Sequence, residues 1–188
     1  MIGRMTRIGV VTASTRPNRI GHHVADWVVG LAPEDVEVVE VDLREIGLPL
    51  LDEPEMPSEG HYAHEHTRQW AAVVDSLDAV VLVMPEYNRG YNASLKNAID
   101  YLYAEWDGMP VACVGYGWSG AHFARTALRQ TLERIGMVIV EGAALSFERT
   151  LDLDGTVRAD DEATGAVRSM FSAITRTSTD SSKDAGRG

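Results

Sequence analysis

Cysteine is almost absent from this chain. Cys113 stands alone among 188 residues, which excludes an intramolecular disulfide framework and suits a reducing compartment. Basic charge is scarce too: 17 Lys and Arg face 28 Asp and Glu, a formal net charge of −11. The basic footprint of a nucleic-acid binder is missing. No positively charged start leads into a signal-type apolar run, and no apolar stretch reaches the roughly 20 residues needed to cross a bilayer. The expectation is a cytoplasmic protein with neither nucleic acid nor membrane as partner.

What is present is an ordinary globular composition, 45% hydrophobic and 24% charged, in a length that fits one domain with a sheet covered on both faces. Short β-branched runs alternate with helical spacing. Residues 8–12 read as a buried strand, followed by Asn18 as an N-cap and by Val24, Trp27, Val28 and Leu31 at helical intervals. Residues 36–42 form a second strand. A Pro- and acid-rich connection over 43–61 follows, with Asp52, Glu53 and Glu55 read as a solvated acidic loop. Trp70, Val73, Val74 and Leu77 mark one helix face, and 79–84 is continuously apolar, the sign of a central parallel strand. Further helices are carried by Leu95, Ala98, Ile99 and Leu102 and by Ala124, Leu128, Leu132 and Ile135. Further strands cover 111–114 and 137–140.

Such alternation predicts right-handed crossovers and an α/β, flavodoxin-like three-layer fold with a five-stranded parallel sheet in the order 2-1-3-4-5. A last helix is expected over 160–174, which would complete a domain spanning 1–174. Residues 175–188, rich in Ser, Thr, Asp and Gly, are expected to form a disordered tail.

Ligands in such sheets sit beyond the carboxyl ends of the strands, and three loops there are rich in binding groups. Ala13-Ser14-Thr15-Arg16-Pro17-Asn18-Arg19-Ile20-Gly21 gathers hydroxyls and guanidinium groups at a helix start, suiting a doubly charged phosphate monoester. It is neither a Walker loop nor a G-x-G-x-x-G loop, and nothing in it is placed to hold magnesium. Met84-Pro85-Glu86-Tyr87-Asn88-Arg89-Gly90-Tyr91-Asn92 has its shape fixed by proline and glycine, with tyrosines able to face a flat ring. Gly115-Tyr116-Gly117-Trp118-Ser119-Gly120 lets backbone approach a ligand closely, with Ser119 as N-cap the simpler reading.

The stretch 14–19, together with Pro85-Glu86-Tyr87-Asn88 and Leu95-Lys96-Asn97-Ala98-Ile99-Asp100, resembles the NADPH-dependent FMN reductase family over about 7–140. The resemblance implies noncovalent FMN, with NADPH or NADH as co-substrate and a small-molecule electron acceptor such as free flavin, a quinone, an azo compound or a metal oxyanion. It implies that Ser14, Thr15, Arg16, Arg19 and Ile20 hold the phosphate end. Pro85, Glu86, Tyr87 and Asn88 would contact the ring and ribityl region, and Gly117, Trp118 and Ser119 would border the other edge. A homodimer or homotetramer is implied as well. Ala13, where the family often has Gly, and Asn92-Ala93-Ser94, where it often has Pro, depart from the pattern.

The chemistry belongs to the flavin, so no residue is named as a catalytic acid or base. A flavodoxin-type electron carrier and a non-catalytic binding protein on the same fold remain alternatives. His61, His64 and His66 lack the H-E-x-x-H spacing and read as a solvated helix start rather than a metal site. Cys113 reads as core, Lys96 as an exposed helix lysine, and Arg89 as a contact for a nucleotide 2′-phosphate.

Overall fold

Strands and helices alternate as the hydrophobic periods require. The computed structural model describes residues 4–185. Its elements are β1 (Thr6–Thr12), α1 (Gly21–Val29), β2 (Val36–Asp42), α2 (Leu43–Ile46), α3 (Glu65–Asp75), β3 (Ala79–Pro85), α4 (Ala93–Asp100), β4 (Pro110–Gly117), α5 (His122–Arg134), β5 (Val138–Ile139), β6 (Ala143–Ser146) and α6 (Asp161–Ala185). Each pairing between these strands is parallel, and the sheet runs β2-β1-β3-β4-β5 with β6 also on β4. This is the flavodoxin-like order.

The edge of the sheet differs from the expectation of one strand over 137–140. β5 pairs with residues 110–111 of β4 and β6 with residues 114–117, giving six strands. Gly142 lies between them, so close to β4 that a Cβ on it would stand 2.0 Å from the Cys113 carbonyl oxygen. Pairing breaks there and resumes. The weak strand preference of Ala143 and Ala144 concealed β6.

Two helix ends also need correction. Asn18 does not cap α1: the helix starts from Ile20 and no side chain accepts from its first N–H groups. At the far end, α6 runs past residue 174 to Ala185, and residues 186–188 of the expected tail lie outside the described residues. The buried stripe Ala163, Val167, Met170, Phe171 and Ile174 is continued by Ser178, a polar residue whose Oγ donates to the Thr175 carbonyl at 2.9 Å. Composition alone hid that turn of helix.

The core has two layers, one on each face of the sheet. Val80, Leu82 and Met84 of β3 pack with α3, α4 and α5, while Ala79, Val81 and Val83 pack with α1 and α6. Two buried tryptophans lock the first layer. Trp70 Nε1 donates to the Ala98 carbonyl at 2.8 Å and Trp106 Nε1 to the Ile99 carbonyl at 3.0 Å, so neither indole leaves an unpaired donor.

Two glycines give opposite predictions. Gly142→Ala should destabilise by about 2–4 kcal/mol, since backbone on both sides must move. Gly165→Ala, in α6 with nothing within 4 Å of a new Cβ, should stabilise by about 0.5–1 kcal/mol. Urea unfolding of the two variants checks both signs.

Candidate functional site

Because β1, β3 and β4 are parallel and in register, their carboxyl ends stop level, with Thr12 beside Val83 and Pro85 beside Tyr116. The loops leaving them meet around a cleft of about 370 Å³, a size suited to a small ligand. Ser14, Arg16, Arg19, Ile20, Pro85, Glu86, Tyr87, Gly117 and Trp118 line it, as the sequence led one to expect. Thr15, Asn88 and Ser119 do not. Thr15 lines a separate groove between α2 and α4.

The first loop carries the cations. Ser14 is buried and its Oγ shares a hydrogen bond with the Tyr87 phenol at 2.9 Å. The Arg16 guanidinium lies 5.9 Å from the centre of the Tyr87 ring. Arg19 Nη2 donates to the Asp42 carboxylate, while its Nε and Nη1 are buried without a hydrogen-bond partner among the described residues. Guanidinium nitrogens left unpaired in this way are costly, and a phosphate or carboxylate oxygen is their natural acceptor.

The second loop is a two-residue hairpin. Tyr87 and Gly90 exchange backbone hydrogen bonds, both 2.9 Å, around Asn88 and Arg89 at φ 51° and 63°, the conformation of a type I′ turn. Asn88 therefore serves the turn rather than the cleft. Arg89 adopts the left-handed region at a cost, and its guanidinium packs on Phe123, 4.7 Å from the ring centre. Beyond the turn, Asn92 Nδ2 and Ser94 Oγ both donate to the Ala13 carbonyl, at 2.7 and 2.9 Å. The departures from the family pattern thus hold the second loop to the first.

The third loop reads G-x-G-x-x-G between a strand and a helix, yet it is no dinucleotide seat. That motif needs a free helix N-terminus for the pyrophosphate. Here the Glu86 carboxylate already accepts from Phe123 N at 2.9 Å and Ala124 N at 3.1 Å. Ala121, at φ 56°, is the N-cap residue and supplies no side-chain acceptor. Ser119 is not the cap; its Oγ donates to Glu86 at 3.1 Å. Glu86 caps α5 from a neighbouring loop and so joins the second loop to the third.

Sequence reasoning did not select Asn18, Tyr116, Phe147 or Leu153, which also line the cleft. Burial, reinforced by the neighbouring Tyr87, pushes the Tyr116 phenol well above its ordinary value, so it stays a neutral hydroxyl. A Cβ at Gly21 would lie 2.6 Å from that hydroxyl, so the start of α1 must be glycine. Phe147 meets Trp118 edge-on at 5.3 Å. With the exposed Leu153 the two rings form an apolar rim. The alternating Leu145-Ser146-Phe147 was the available signal.

Elsewhere Asp52 and Glu55 of the acidic loop are exposed, as expected, yet two of its carboxylates also make hydrogen bonds. Asp52 accepts from Tyr101 Oη at 2.9 Å and lies 3.0 Å from His66 Nε2, while Glu53 accepts from Ala63 N and His64 N at 2.8 and 3.0 Å. These carboxylates clip the connection to the start of α3. Lys96 donates to Asp100 one turn later at 2.6 Å. Cys113 is half-buried beneath α5, and burial pushes its thiol up to about 12.

A six-stranded parallel sheet with a cation-lined and aromatic cleft over its carboxyl edge defines a flavodoxin-like domain. Its fold matches the FerB flavoenzyme NAD(P)H:(acceptor) oxidoreductase of Paracoccus denitrificans with a TM-score of 0.71, at 24% identity over 94% of this chain and 98% of that one. Residues 6–152 match the NADPH-dependent FMN reductase family. The NAD(P)H-dependent FMN reductase LOT6 of Saccharomyces cerevisiae is 34% identical over 154 residues, 75% of this chain and 81% of the relative. A quinone reductase of Pseudomonas putida is 32% identical over 165 residues, 80% and 86% of the two chains. The chain belongs to the NADPH-dependent FMN reductase family.

The residues present fit FMN. The two orphaned nitrogens of Arg19 suit its phosphate, and tyrosine and tryptophan suit its ring. Glu86→Ala should lower stability by about 1.5–3 kcal/mol, the scale of hydrogen bonds to a charged group. It should also loosen Trp118. Chemical unfolding and Trp118 fluorescence read the two effects together.

Proposed function

We propose that the cleft holds FMN, with Ser14, Arg16 and Arg19 at its phosphate and Pro85, Tyr87 and Trp118 around its ring, and that the chain reduces a small-molecule acceptor at the expense of NADPH or NADH. Bound there, the flavin supplies the redox chemistry, taking hydride from the nicotinamide and releasing electrons to the acceptor. The observation that carries this reading is Arg19, a buried cation with two donors still unpaired at the base of the cleft.

The chain's own residues bind, orient and exclude water. Arg16 and Arg19 neutralise the dianion; the Ser14–Tyr87 hydrogen bond fixes the ring-facing loop relative to the phosphate loop. Tyr116 contributes a neutral hydroxyl beside the start of α1, whose dipole adds about half a positive charge. Trp118, Phe147 and Leu153 offer an apolar border that suits a planar acceptor better than a charged one. Similarity to a quinone reductase supports a quinone as the acceptor to try first. No side chain is assigned as an acid or base.

The same reading takes the chain as a cytoplasmic homodimer or homotetramer. Leu50 and Met56, 81% and 66% exposed on the connection after β2, are apolar groups that a second copy would cover. Among the described residues no helix is long and apolar enough to cross a membrane.

Purified protein mixed with FMN should show a bound-flavin spectrum that bleaches when NADPH is added without oxygen. Flavin that binds and stays oxidised would make this an electron carrier, and protein that takes up no flavin would end the reading. Arg16→Ala should weaken FMN binding by roughly 1.5–3 kcal/mol, the value of a hydrogen bond to a charged group. Titration of flavin fluorescence measures it.

A further inference from the structure

Arg19 does not stand alone in the first loop. Its side chain is only 10% exposed, and its guanidinium has one partner among the described residues, the carboxylate of Asp42 at the end of β2. Asp42 is placed by the sheet itself, in register beside Thr12 of β1. Its carboxylate is fully engaged. Oδ1 accepts from Arg44 N at 2.9 Å as the N-cap of α2, and Oδ2 takes Arg19 Nη2. A carboxylate held on both oxygens is restrained, and so is the guanidinium nitrogen bonded to it. Nε and Nη1, whose N–H bonds point to different sides of the group, are left without acceptors beside the cleft. A planar guanidinium presents each donor in a set direction only when its plane is fixed.

We infer that Asp42 is a positioning residue for the flavin phosphate: by partnering Nη2 it holds the plane of Arg19, so that the N–H donors still unpaired keep set directions and one of them meets a phosphate oxygen. This rests on the proposal that the cleft binds FMN. Asp42 does not touch the ligand, and its own charge opposes a dianion. Its benefit is therefore orientational, together with the cost it removes by partnering a buried cation in the ligand-free protein. The role is specific to the phosphate and gives no help to the isoalloxazine ring.

The test compares FMN with riboflavin, which has the same ring and no phosphate. Asp42→Asn keeps an oxygen to accept from Arg44 N, so α2 keeps its cap, but turns an amide donor or a neutral oxygen toward Arg19 Nη2. In this variant the Kd for FMN should rise about five- to tenfold, as expected when a charge-assisted hydrogen bond is poorly aligned. The Kd for riboflavin should stay within about twofold. In an Arg19→Ala background, Asp42→Asn should have no further effect on FMN binding. Unchanged FMN affinity in Asp42→Asn, equal weakening of both flavins, or a full loss still present without Arg19 would each overturn the inference. Wild-type protein that binds riboflavin as tightly as FMN would instead remove the phosphate reading beneath it.

Discussion

The three loops of the cleft are aligned by β3, a strand whose seven residues are all buried. It pairs with β1 on one side and β4 on the other, so its hydrogen bonds are complete and both its faces are covered. Burying a Val or Leu side chain contributes roughly 1.5–3 kcal/mol, and β3 carries five such large apolar residues between Val80 and Met84. That strength holds the carboxyl ends of three strands level. Loops of different length and composition can then converge without carrying the fold, which is why strained turns are tolerated at this edge.

The loops are joined to one another before any ligand arrives. Ser14 bonds Tyr87, Asn92 and Ser94 hold Ala13, and Glu86 caps α5. Each link ties two of the three loops, so the cleft is a single framework rather than three independent arms. Preorganisation of this kind lowers the ordering cost that binding would otherwise meet. The same framework accommodates Arg89 in a left-handed conformation by packing its guanidinium on Phe123. That contact places the exposed Arg89 side chain beside α5.

Much of this was legible because parallel sheets write a strong signal. The continuous apolar run 79–84 and the helical stripes of α3, α4 and α5 announce themselves by period alone. The cleft was legible for a related reason, since hydroxyls and arginines crowded between a strand and a helix have few structural uses. What stayed hidden depended on partners distant in sequence. Glu86 looked like a ring contact, and only three-dimensional proximity reveals the bare N-terminus of α5 that it caps. Asp42 looked like the polar end of a strand. β6 was hidden by alanines and by the close approach of Gly142 to Cys113, and the last turns of α6 by a serine that is buried against expectation.

The net charge of −11 and the anionic ligand are reconciled by distance. At physiological ionic strength the Debye length is about 8 Å, so exposed carboxylates beyond that range are largely screened. Arg19 is only 10% exposed, and interactions of partly buried groups are screened far less. The local pair of arginines therefore dominates the field inside the cleft, while the global charge acts only on distant approach. It follows that the selectivity of the site lies in geometry more than in field. A cation free to swing would attract any anion, whereas one bonded to Asp42 offers its unpaired donors in set directions. The apolar rim of Trp118, Phe147 and Leu153 imposes the complementary condition at the other end, where a flat and weakly charged group is the best fit. A ligand must meet both conditions at once, and a phosphate joined to a flat heteroaromatic ring by a short polar chain does so.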